Sequence, residues 1–284
     1  MTKLDPAVVN DIVSRALEED IGPGDITTRA LVPAHEEVTA EIVANERLVI
    51  AGLPVAEAVF THLDARVNFE PLVRDGSEIA AGSRVATVSG PAGPILMGER
   101  TALNFLQHLS GVATLTRRFV DLVKDTSATI IDTRKTIPGL RHIEKYAVAV
   151  GGGTNHRMGL YDRILIKDNH LLIQGRYSAD GLGRSVALAR EKNPGAPVEV
   201  EAGSLEEVEA AVRAGADCVL LDNMTVGEIR EAIGLIDGRA AAEASGGVTL
   251  DTVREIALTG VQFISIGALT HSARAVDLNL TVLA

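Results

Sequence analysis

Apolar residues Val8, Val9, Ile12, Val13, Ala16 and Leu17 return every three or four positions behind Asp5 and Pro6, with acidic residues on the other side. Asp5 can cap a helix and Pro6 can open it, because proline's missing N–H falls where no intrahelical partner exists. An amphipathic helix is therefore expected here, not a signal peptide. From residue 25 to 92 the pattern shortens to β-type runs, residues 41–44, 47–50, 67–69 and 84–88, punctuated by Asp75-Gly76 and Ala81-Gly82. Helical spacing resumes over residues 94–123 through Leu103, Leu106, Leu109, Val112 and their neighbours, and Ser110-Gly111 predicts a break into two helices. Beyond residue 123, apolar runs alternate with amphipathic segments. This predicts βα units on a parallel sheet, with strands at 129–131, 164–166, 198–201, 218–221, 242–244 and 263–266.

Residues 204–223, SLEEVEAAVRAGADCVLLDN, align without gaps on residues 249–268, TLDTVREIALTGVQFISIGA. Each copy reads as a capping hydroxyl (Ser204 or Thr249), a helix, a glycine stop (Gly215 or Gly260) and an apolar strand. Successive units of one form predict a (β/α) barrel, with an open doubly wound sheet as the alternative. Gly181-Leu182-Gly183 follows no strand and is expected in a loop rather than in a dinucleotide fingerprint.

The 284 residues are 46% hydrophobic and 23% charged, a composition that supports a large core and argues against disorder. No uninterrupted apolar stretch nears the roughly 20 residues needed to span a bilayer. A net charge of −11 disfavours nucleic acid and anionic lipid as partners. Cys218 has no second cysteine to pair with, which excludes an intrachain disulfide or a zinc site built of thiolates and leads us to expect a reducing, cytoplasmic location. Within this acidic chain, residues 133–167 carry seven bases against Glu144 and Asp162, so positive charge is concentrated in one window.

Placed on the expected barrel, the polar residues collect at strand C-termini, where barrel loops converge. Asp132 and Arg134 follow the first strand and Lys167 the second. Glu201 ends the third, Asp222 follows the fourth, Ser245-Gly246-Gly247 the fifth and Gly267 the sixth. Arg134-Lys135 and Asn155-His156-Arg157 are loop positions suited to forked recognition of carboxylate or phosphate, although a solvated basic face would also account for them. Ser245-Gly246-Gly247 before a helix start at Thr249, and Gly267-Ala268 after the last strand, form a pattern in which backbone amides cradle a phosphate. Glu199 and Glu201 point the same way on one strand, and such a pair needs neutralising. Glu201 with Asp222 could hold Mg²⁺, or these acids could pair with barrel lysines.

The blocks Glu19-Asp20-Ile21-Gly22-Pro23-Gly24-Asp25-Ile26-Thr27-Thr28, Glu99-Arg100-Thr101-Ala102-Leu103-Asn104, residues 108–114 (HLSGVAT), residues 132–141 (DTRKTIPGLR), Asn155-His156-Arg157, Ile166-Lys167-Asp168-Asn169-His170, Leu221-Asp222-Asn223 and Glu243-Ala244-Ser245-Gly246-Gly247 together resemble the quinolinate phosphoribosyltransferase family nearly end to end. The resemblance implies an N-terminal α+β sandwich domain with linking helices (1–115), an incomplete barrel of about seven strands (116–270), and a tail (271–284) returning to the first domain. It implies a homodimer whose sites are shared between subunits. The implied reaction combines quinolinate with phosphoribosyl pyrophosphate to give nicotinate mononucleotide, CO₂ and pyrophosphate in NAD biosynthesis. In that reading Arg134, His156, Arg157 and Lys167, with Arg100 from the second subunit, hold quinolinate. Lys135, Glu201 and Asp222 serve the reacting centre, the two acids also meeting Mg²⁺. Ser245, Gly246, Gly247, Gly267 and His271 take the 5′-phosphate. The alternatives are a related phosphoribosyltransferase-like protein of molybdenum-uptake operons and a non-catalytic sensor of phosphate ligands.

Overall fold

A computed structural model describes residues 4–175 and 179–283. The chain forms two compact units, one taking the chain up to Arg117 with Thr136–Gly152 and the stretch from Ala268 on, the other Arg118–Lys135 and Gly153–Gly267. Residues 136–152, expected in the barrel, thus fold with the first unit. The helix Arg141–Val150 is tied in there by half-buried polar contacts: Glu144 meets His108 Nε2 at 2.8 Å, and the Tyr146 hydroxyl donates to Asp75 at 2.6 Å.

In the first unit the helix Pro6–Ile21 starts where Asp5 accepts the Ala7 N–H at 2.9 Å, and it buries Val9, Ile12, Val13 and Leu17. Strands β1 (Glu37–Ala44), β2 (Leu48–Val49), β3 (Asn68–Pro71), β4 (Glu78–Ile79) and β5 (Arg84–Pro91) follow. The two-residue β2 and β4 pair with each other, while β1 lies between β5 and the last strand of the chain, Leu278–Val282, in an antiparallel sheet with β3 beyond β5. Residues 92–123 form one unbroken helix, Ala92–Val123, instead of two. Gly111 is not a breaker: a side chain there would collide with the carbonyl of Arg274, so its glycine serves a close backbone approach.

The second unit is built on six parallel strands, β6 (Thr129–Ile131), β7 (Ile164–Ile166), β8 (Val198–Ala202), β9 (Cys218–Asp222), β10 (Ala241–Ser245) and β11 (Phe263–Ser265), in the order β6-β11-β10-β9-β8-β7. On the outer side of β6 a single parallel bridge joins Ile131 to Thr154, a one-residue stub in the seventh position. The sheet is curled, because His156, two residues beyond that stub at one edge, reaches Glu199 on β8, next to the opposite edge. The two repeat copies share Gly215 and Gly260, both at positive φ before a strand, but not their helices. Ser204 caps Leu205–Arg213, whereas Thr249 sits in a turn and the second helix is only Val253–Ala257, starting later than expected. There Thr252 Oγ1 accepts the Thr249 N–H, so the turn is closed by side chain and backbone before the helix begins. Gly181 and Gly183 lie inside the helix Ala179–Lys192, not in a loop. Leu182 and Val186, both buried, anchor that turn against the cost of two glycines. The strand here called β12 is Leu278–Val282.

Candidate active site

Side chains at the C-terminal ends of the parallel strands enclose a cleft of about 330 Å³. Arg134 and Lys135 enter after β6, His156 and Arg157 after the Thr154 stub, Lys167 after β7, Glu201 from β8, Asp222 from β9 and Ser245 from β10. Eight residues singled out in the sequence therefore share one volume, floored by Leu165, Leu220, Glu243 and Ser265. Gly246, Gly247 and Gly267 stand at strand ends of the same unit. Arg100, exposed on the helix Ala92–Val123, and His271 belong to the first unit.

The basic side has a definite construction. Asp132, wholly buried at the end of β6, accepts the His156 N–H at 2.9 Å and the Asn155 carboxamide at 2.7 Å, which fixes the turn that carries His156 and Arg157. Arg157 Nη1 donates to the Arg163 carbonyl at 3.1 Å. Burial and the neighbouring Arg134 guanidinium both lower the pKa of Arg157, a mutual repulsion that an anion set between the two forks would relieve. Lys167 has its N–H bonded to His170 Nδ1 at 2.9 Å and pairs its ammonium with Glu201. The lysine pairing weighed for the barrel acids is thus realised at Glu201.

Beneath the cleft the sequence alternation puts Glu199 and Glu243 inward, and both are buried. His156 Nε2 lies 3.0 Å from Glu199 Oε2 and 3.4 Å from Glu243 Oε2, and Arg163 approaches Glu199 at 3.5 Å. Burial works against charge on the imidazole, but the bonds to the two glutamates outweigh it and raise its pKa to about 9. In Glu199 burial is overridden by the His156 bond and the pKa falls, whereas burial dominates in Glu243 and raises it. The Arg157 N–H faces His156 Nδ1 at 2.7 Å, so the neutral ring is the Nε2–H tautomer, and Nε2 donates in either protonation state. One imidazole and two carboxylates at this spacing would otherwise suit a metal ion. With its hydrogen held on Nε2, the ring is a donor to the acids rather than a ligand.

Glu201 and Asp222 are the cleft's other carboxylates, with Asp222 accepting from the Asn223 carboxamide at 2.8 Å. Two oxygen donors on a wall are too few to cage an ion. They suit Mg²⁺, which keeps much of its water and binds through one or two carboxylates plus substrate phosphates. At the β10 end Gly246 has φ +102°, and a Cβ would meet the Asn223 carboxamide and lie 3.0 Å from its backbone nitrogen; Gly247, at φ +60°, faces open space. Gly246→Ala is therefore expected to destabilise the protein by about 1–3 kcal/mol and Gly247→Ala by about 1–2 kcal/mol, read from thermal melts of the two variants. The sequence places Asp132 only among the polar strand ends, and gives Glu243 no role. A charged residue in phase with Ser245 on the otherwise small and apolar β10 was the available signal for Glu243.

Two family models match the chain: Quinolinate phosphoribosyl transferase, N-terminal domain, over residues 25–110, and its C-terminal domain over residues 112–281. The carboxylating nicotinate-nucleotide pyrophosphorylase of Mycobacterium leprae is 45% identical over 95% of this chain and 95% of its own length. The chloroplastic enzyme of that name from Arabidopsis thaliana is 41% identical over 95% of this chain and 82% of its own. The crystal structure of NadC from Streptococcus pyogenes superposes with a TM-score of 0.93 at 40% identity, covering all of both chains. With both domains of the family matched in order and relatives above 40% identity along almost the whole length, the chain belongs to the quinolinate phosphoribosyltransferase family.

Proposed function

We propose that this protein transfers the phosphoribosyl group of phosphoribosyl pyrophosphate to the ring nitrogen of quinolinate and releases CO₂, forming nicotinate mononucleotide and pyrophosphate in NAD biosynthesis. The observation that carries this reading is the lining of one cleft, which brings together a basic group, Arg134, Lys135, His156, Arg157 and Lys167, and an acidic group, Glu201 and Asp222. A pyridine dicarboxylate needs the first group, and a ribose carbon losing pyrophosphate needs the second.

In this scheme Arg134 and Arg157 fork onto the substrate carboxylates and aim the pyridine nitrogen at C1′ of the ribose. As the C1′–oxygen bond to pyrophosphate breaks, positive charge on the ribose is met by Glu201 and Asp222, and Lys135 neutralises the leaving oxygen. When bound, Mg²⁺ would be held by Glu201 and Asp222, directly or through water, and would supply positive charge to the departing pyrophosphate. The nitrogen then bonds to C1′. Its positive charge stabilises the electron pair that stays on the adjacent ring carbon when the bond to CO₂ breaks, and that carbon then uses the pair to take a proton. Ser245, Gly246, Gly247, Gly267 and His271 are assigned the 5′-phosphate. The active form is a homodimer in which Arg100 of a second copy completes the quinolinate site. Exposed Ile26 and Leu31 in the first unit provide apolar surface for such an association. A cytoplasmic location rests on Cys218, a buried thiol in a chain without a second cysteine.

Incubation with quinolinate, phosphoribosyl pyrophosphate and Mg²⁺ is expected to release CO₂ and nicotinate mononucleotide in equal amounts; absence of both products from folded protein would reject the assignment. Arg157→Ala is expected to raise the KM for quinolinate roughly 10- to 150-fold, the loss of a charge-assisted bond of about 1.5–3 kcal/mol, with little change in that for phosphoribosyl pyrophosphate. Initial rates with each substrate varied in turn measure this.

A further inference from the structure

Of the residues assigned to quinolinate, His156 alone has both ring nitrogens turned toward protein groups. Nδ1 faces the Arg157 N–H at 2.7 Å and Nε2 meets Glu199 at 3.0 Å, while the His156 N–H is taken by Asp132 at 2.9 Å. The residue lines the cleft nonetheless. Its part in binding is then to present a ring of fixed orientation and charge, and that orientation has to be set from below. A backbone bond to Asp132 fixes where the residue starts but leaves rotation about its side chain undetermined. The Arg157 N–H holds one edge of the ring, and the group that holds the other edge is on β8, where Glu199 is buried and points the same way as Glu201, two residues further along.

Resting on the function proposed above, we infer that Glu199 is a positioning residue for quinolinate, acting through His156 rather than on the substrate itself. Glu243 backs it at 3.4 Å from the same nitrogen, and Arg163, at 3.5 Å, is the cation next to Glu199. The two acids of β8 thereby divide the work. Glu201 lines the cleft and serves the ribose, whereas Glu199, two residues earlier on the strand and outside the lining, serves quinolinate by holding the His156 ring. The inference explains why a carboxylate is kept in the interior of a barrel, where an apolar side chain would pack at less expense. It also gives a use to the alternation of Glu199 and Glu201 that neutralisation alone does not.

A double-mutant cycle between Glu199 and His156 tests this, with quinolinate KM, phosphoribosyl pyrophosphate KM and kcat measured separately. Glu199→Ala is expected to raise quinolinate KM about 10- to 100-fold and to move the other KM less than about twofold. Glu199→Gln, which keeps an acceptor oxygen and the side-chain volume, is expected to raise it only about 3- to 10-fold. Neither change is expected to add to the defect of His156→Ala. Glu199→Gln carries the test by itself if the alanine variant does not fold. A second readout needs no substrate: the hydrogen-bonded imidazole Nε2–H resonance of the wild-type protein is expected to vanish in Glu199→Ala and in His156→Ala alike. Multiplicative effects in the His156→Ala background, or equal effects on both substrates, would overturn the inference. Absence of product from the wild-type protein would instead reject the proposed reaction, while the resonance would still report whether Glu199 holds the ring.

Discussion

Glu201→Gln is expected to lower kcat by about two orders of magnitude, the usual loss when one group facing charge in a transition state is removed, while quinolinate KM stays constant or falls. The second half of that expectation comes from the structure. Glu201 is paired with Lys167, so part of the cleft's positive charge is neutralised before substrate arrives. Replacing the carboxylate by an amide releases the lysine to the anionic substrate as it removes the anion that the ribose carbon needs. Binding and turnover then move in opposite directions. A variant crippled merely by misfolding would lose both, and steady-state kinetics beside a far-ultraviolet circular dichroism spectrum separates the cases. A rise in quinolinate KM at unchanged kcat would assign Glu201 to the dicarboxylate instead.

Arg100→Ala and Arg134→Ala are each expected to abolish activity, and mixing them is expected to restore it to about a quarter of the wild-type level. The two arginines belong to different units of the chain. If a site takes Arg134 from one subunit and Arg100 from the other, a mixed dimer has one site with both defects and one with neither. Random reassortment makes about half the dimers mixed, hence about a quarter of all sites intact under closed two-fold symmetry. Co-refolding equal amounts and assaying nicotinate mononucleotide measures this. Verified mixed dimers without activity would place Arg100 in its own subunit's site or outside the site altogether.

The parallel strands were readable because each is a short apolar run between turn residues, and the ends of the β6 and β7 runs match to the residue. So were the residues that line the cleft, since a barrel delivers whatever follows its strands to one place. Two expectations fail for a shared cause. Gly111 predicts a helix break and Gly181 and Gly183 predict a loop, but glycine's local preference for leaving a helix is about 1 kcal/mol per residue and is readily overridden by packing. At Gly111 the deciding partner is Arg274, far along the chain and invisible to a local pattern. Thr249 failed as a cap for the opposite reason, since the repeat alignment carries over a residue type but not the turn that Thr252 closes. Glu243 was missed because a buried acid declares its purpose only through its neighbour, and His156 lies on a loop distant in sequence.

The pairing of β1 with β12 bears on how the protein is made. Ala40 is matched with Val282, so an early strand of the chain waits for one of the last. Until residue 282 has left the ribosome, β1 can pair with β5 alone, and its other edge shows unpaired N–H and C=O groups to the cell. All six strands of the second unit lie upstream of that point and can assemble first. Vectorial synthesis thus presents β1 with β5 long before β12 and leaves one strand edge exposed during the interval. A chain released without Leu278–Val282 would keep that edge open for good, and there it would be most exposed to capture by other chains or by chaperones.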